Sequence, residues 1–128
     1  MARSFQKGAT LIVATAVLLL TACVPINPAV VDPAGVWGNA DPVTQQPYLA
    51  ISADGSASGS DGCNMLQTEW TGSGQTMTFS SIIATTAKEC TGVDTWLVRA
   101  AAAEIDGSTL IVRDAAGERI GILPRAAE

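Results

Sequence analysis

Histidine is absent from all 128 residues. Without an imidazole, a Ser-His-Asp or Cys-His nucleophile cannot be built in its usual form. Basic residues are also scarce, seven against twelve acidic ones. They form no cluster, which excludes the positive face that nucleic acid requires. Lysine occurs only at Lys7 and Lys88, and a lone loop lysine reads as a solvated charge rather than a base for serine. There is no glycine-rich phosphate loop and no calcium-loop spacing. Asp54, Asp61, Glu69 and Asp94 could supply paired carboxylates for glycoside hydrolysis. Asp54 and Asp61 both precede glycine, however, so turn formation already explains them, and Asp61 and Glu69 carry no local motif. The expectation is a protein that is not an enzyme, with no catalytic residues, no metal and no cofactor.

What is present begins at the N-terminus. Arg3 and Lys7 precede a mostly apolar run from Ala9 to Leu20, and Leu20-Thr21-Ala22-Cys23 closes it. A positive leader, an apolar stretch of about a dozen residues and small residues before a cysteine have the layout of a bacterial lipoprotein signal. Cleavage before Cys23 would leave its sulfur to carry the lipid. The run is shorter than the ~20 residues of a spanning helix, so residues 1–22 are expected to be a signal peptide rather than a retained anchor. Acyl chains such as palmitate on Cys23 would hold the mature chain at the extracytoplasmic face of the cell membrane. Removal of 22 of the 128 residues leaves 106, enough for one domain. The mature chain keeps five basic residues against twelve acidic ones, a net charge of −7.

Of three cysteines, lipidation of Cys23 leaves Cys63 and Cys90. An even pair outside the cytoplasm reads as a disulfide. The two do not form a Cys-x-x-Cys redox motif, and two thiols with no histidine make a poor zinc site.

Residues 23–35 read as a tether, with Pro25, Pro28 and Pro33 favouring extended chain. From about Val36 onward, short apolar runs alternate with turn signals. Tyr48–Ile51 is followed by Asp54-Gly55, the strands around Gly72-Ser73-Gly74 form another hairpin, and Asp106-Gly107 divides Ala102–Ile105 from Leu110–Val112. Val93, Trp96, Leu97, Ala100 and Ala101 instead follow helical spacing, with Thr91 and Asp94 set as a capping box. The predicted class is α+β, mainly β: a small curled antiparallel sheet of hairpins with one short helix, about residues 92–102, packed on it through Trp96.

Gly62-Cys63-Asn64, then Thr86-Ala87-Lys88-Glu89-Cys90, then Leu110-Ile111-Val112 together resemble the META (HslJ-like) domain family. Trp37 matches the family's opening tryptophan, and Asp54-Gly55 with Gly59 resembles its lead into the triplet. The resemblance covers about residues 36–124, within a domain set at 36–128. Lys88-Glu89 departs from the Met or Ala that the family often places before the second cysteine. The resemblance implies a curled antiparallel sheet with one helix, found in bacterial envelope proteins linked loosely to stress and antibiotic tolerance, with no settled activity. Gly62, Cys63, Asn64, Thr86 and Cys90 are then motif residues. Gly62 reads as an unusual backbone angle and Asn64 as a bond to local backbone rather than as a contact in a ligand cleft.

The function expected from these residues is that of a non-enzymatic, membrane-anchored envelope lipoprotein, acting as an interaction or stress-related module on an envelope protein partner. One alternative is a binding module for an apolar small molecule or lipid. A second is an extracellular hydrolase inhibitor, for which Trp70, beside a hairpin tip, is the candidate partner contact.

Overall fold

The computed structural model describes residue 8, residues 21–25 and residues 31–127. The apolar run expected to form the signal lies outside the described residues, whereas Cys23 is described, exposed and free. No helix among the described residues is long and apolar enough to cross a membrane.

Nine strands are present among these residues: β1 (Gly35–Gly38), β2 (Tyr48–Ile51), β3 (Ser56–Ser60), β4 (Met65–Ser73), β5 (Thr76–Phe79), β6 (Ile83–Ala84), β7 (Ala102–Asp106), β8 (Thr109–Arg113) and β9 (Arg119–Pro124). Eight of them follow one another as β1-β2-β3-β4-β5-β7-β8-β9, and the two-residue β6 pairs with the start of β4. Every pairing is antiparallel. The sheet curls until its ends meet at a bridge between Trp37 and Arg125. There the Ala126 N–H donates to the Val36 carbonyl at 2.9 Å. The result is a nearly closed barrel.

Alternation along the strands fills the inside. Leu49 and Ile51 from β2, Met77 and Phe79 from β5, Ala103 and Ile105 from β7, and Leu110 and Val112 from β8 all point inward and are buried. Trp37 on β1 is fully buried among them. Side chains thus occupy the interior, as in other small barrels.

The sheet of hairpins is as expected; the helix is not. Residues 92–102 contain a single 3-10 turn, Trp96–Arg99, and Thr95 at its start makes no side-chain capping bond. Ala100 is already extended, with φ −62° and ψ 132°. The cause lies in the neighbours. The Ala101 N–H donates to the Arg113 carbonyl at 2.9 Å while the Ala101 carbonyl accepts the Phe79 N–H at 2.9 Å. Strands on both sides therefore capture these alanines, and sheet pairing overrides their helical propensity. The spacing still reports which residues face the core, since Leu97 and Ala100 are buried. Trp96 is only partly buried. The fold is thus mainly β with almost no helix, and the α+β class is corrected.

Part of the segment read as a tether is also fastened to the barrel. Val31 packs against the core. The Trp37 indole N–H donates to the Pro33 carbonyl at 2.9 Å, and the Arg125 guanidinium donates to the carbonyls of Asp32 (2.8 Å) and Ala34 (3.1 Å).

Candidate functional site

The chain leaves β3 in a tight turn that the buried Asp61, 3% exposed, organises from within. Its Oδ1 accepts the backbone N–H groups of Cys63 (2.9 Å) and Asn64 (2.6 Å), and Ser60 Oγ accepts that of Gly62 (3.0 Å). Gly62 has φ +94°, and a Cβ there would stand 2.5 Å from the Gln45 carbonyl oxygen. Glycine is required on both grounds: it admits the left-handed angle and lets the β1–β2 loop lie directly over the turn.

Asn64 then reaches across to the segment after β6. Its Oδ1 accepts the Lys88 N–H at 2.6 Å and the Thr86 hydroxyl at 2.9 Å, while its Nδ2 donates to the Lys88 carbonyl at 3.1 Å. The Thr86 Oγ1 in turn accepts the Met65 N–H at 3.0 Å. The expected bond to local backbone is therefore replaced by one to residues more than twenty positions away. Cys63 and Cys90 form the disulfide beside this clamp, with Cα atoms 5.8 Å apart. All five motif residues named from the sequence, Gly62, Cys63, Asn64, Thr86 and Cys90, come together in one place.

They support a cleft of about 440 Å³ between the β1–β2 loop and the disulfide. Asp41, Pro42, Gln45 and Gln46 form one wall, Lys88 and Cys90 the other, with Tyr48, Ser60 and Met65 between them. Asp41 turns its Oδ1 to the Val43 N–H at 2.9 Å. Among the described residues no group of three or more His, Cys, Asp or Glu side chains is arranged to hold a metal ion. The Asp54 carboxyl lies in the β2–β3 hairpin. Hydrogen bonds from the Ser56 hydroxyl and N–H hold it below the ordinary aspartate value.

A family model described as the META domain matches residues 33–127. The chain belongs to the META domain family. No curated protein and no solved structure matches it. The match begins within the fastened segment, two residues before β1. Inside this META domain, Trp70 lies away from the motif clamp. It is half-buried on β4, and its indole N–H donates to the Ser52 carbonyl at 2.8 Å. Its ring borders a second cleft, of about 460 Å³, together with Val31 and Pro33. Sequence reading missed two contributors: Asp61, explained only as a turn former, and Arg125, whose partners lie more than ninety residues away. The Asp-Gly dipeptide was a visible signal for the first. Nothing local marked the second.

Proposed function

We propose that this protein is a non-enzymatic lipoprotein, held by lipid on Cys23 at the extracytoplasmic face of the cell membrane. Its META domain acts there as an interaction module that engages another envelope protein in a stress-related role. The observation that carries this reading is the direction of the motif's polar groups. Asp61, Asn64 and Thr86 are turned onto the chain's own backbone, so the motif holds loops together rather than presenting reactive groups. The filled barrel interior speaks against an apolar ligand housed inside it. The engaged indole of Trp70 also makes it a poor hot spot for a hydrolase inhibitor. Outer apolar surface remains at Ile83, 64% exposed on β6.

Cross-linking on intact cells tests the reading, with attached species identified by mass spectrometry. One envelope protein should be captured repeatedly and lost on Ile83→Asp. Recovery of no specific protein would overturn the interaction role. Independently, Cys23→Ser should leave the membrane fraction or stall as precursor. A processed, membrane-bound variant would overturn the lipid anchor.

A further inference from the structure

We propose that the cleft between the β1–β2 loop and the Cys63–Cys90 disulfide binds a short neutral glycan of one or two sugar rings. This site is separate from the surface proposed for a protein partner, and the inference does not depend on the lipid anchor.

Size is the first argument. About 440 Å³ falls within the range of small-ligand sites, roughly 300–1,000 Å³. The second is the amphipathic lining, which suits a molecule with hydroxyls at its rim and C–H groups on its faces. The only tyrosine of the chain, Tyr48, lies in the cleft with Met65 and offers the apolar strip. Polar groups surround that strip, several with capacity to spare. Gln46 Oε1 accepts from Asn39 Nδ2 at 3.3 Å, which leaves the Gln46 amide nitrogen to donate. Ser60 Oγ accepts the Gly62 N–H, so its own hydrogen is free to point into the cleft.

Rigidity is the third argument. Lys88, the only lysine after Lys7, has its backbone N–H and carbonyl both held by Asn64, so the base of its side chain is fixed at the rim. Across from it, Gln45 is the one non-glycine residue with positive φ, +51°, among the described residues. Such an angle is uncommon for a side-chain-bearing residue and marks a position worth a functional hypothesis. Here the loop is packed onto Gly62, where no Cβ could fit. The motif that turns its polar groups inward thereby holds both walls of the cleft in place. With one cationic and one anionic side chain lining it, the cleft has no net charge of its own. That balance favours a neutral ligand whose hydroxyls both donate and accept.

The test is titration of the full chain, disulfide intact, with cellobiose and with N,N′-diacetylchitobiose, followed by nitrogen–proton correlation spectra. At least one sugar should produce saturable shifts confined to Tyr48, Ser60, Gly62 and Lys88 and the side-chain amides of Gln45 and Gln46. Gln46→Ala, at an exposed position, should weaken that binding by about tenfold or more, as should Tyr48→Leu if its spectrum remains dispersed. A short-chain phosphatidylcholine below its micelle concentration should leave these signals unmoved. The proposal is overturned if neither sugar produces saturable shifts of these signals up to about 20 mM. Shifts spread over the barrel, or binding unchanged in Gln46→Ala, would overturn it equally.

Discussion

The Arg125 guanidinium lies over the Trp37 ring, 4.1 Å from its centroid. One arginine thus stacks on the buried tryptophan, bridges the two ends of the sheet, and holds the carbonyls of Asp32 and Ala34. With the guanidinium itself exposed, the cation–π contact contributes about 0.5–1 kcal/mol, and a hydrogen bond about 1 kcal/mol net. Arg125→Ala should therefore destabilise the barrel by about 1–2 kcal/mol in urea unfolding. It should also speed amide exchange around Ala34. Arg125→Lys should recover little, because an ammonium lacks the planar fork that reaches both carbonyls while stacked. Full recovery would mean that charge alone matters there.

The Cys63–Cys90 bridge spans a sequence separation of 27. Loop-closure arithmetic for that length gives roughly 3–4 kcal/mol. Reduction, or the double replacement by serine, should lower the thermal midpoint by on the order of 15 °C. Calorimetry with and without reductant measures it. A shift of only a degree or two would mean that the bridge does not restrict the unfolded chain as loop closure requires.

The sequence carried the hairpins because their signals are local. Asp54-Gly55 and Asp106-Gly107 stand at turns, and the buried Leu110 and Val112 alternate with half-buried neighbours. It misreported residues 92–102 because Leu97 and Ala100 face the core at a spacing shared by a helix and by a turn running into a strand. Only the carbonyl of Arg113 and the N–H of Phe79, distant in sequence, decide between them. β6 was illegible for a related reason: two residues hold no period, and their pairing depends on Leu66 and Gln67. At the site, the triplet and the second cysteine stood out as a motif. The long reach of Asn64 did not, because side-chain amides carry no mark of their partner.

Asn64 and Thr86 should behave as one unit. Asn64→Ala removes the partners of the Lys88 N–H and carbonyl and of the Thr86 hydroxyl. Half-burial lets water replace some of these bonds, so the loss should be about 1–2 kcal/mol. Thr86→Val takes away the Asn64 contact and orphans the Met65 N–H. A double-mutant cycle in urea should return a coupling of at least ~0.5 kcal/mol. Strict additivity would show that the two side chains act independently despite their 2.9 Å contact.

Gly121 on β9 is required by Trp96. A Cβ at Gly121 would stand 2.5 Å from two carbons of the indole ring, closer than carbon atoms approach without displacement. The ring lies against the strand and helps seat the turn that carries the buried Leu97. Gly121→Ala must therefore push Trp96 outward, and overpacking of this kind costs about 1–3 kcal/mol. Gly121 has no positive φ, so the penalty is steric and not a matter of backbone angle. Replacing the ring separates the two explanations. In a Trp96→Leu background, which already lowers stability, Gly121→Ala should become nearly neutral or slightly favourable, since alanine suits a strand better than glycine. Urea unfolding of the four proteins decides the matter. If Gly121→Ala costs the same with and without the indole, the ring is not what excludes the methyl group.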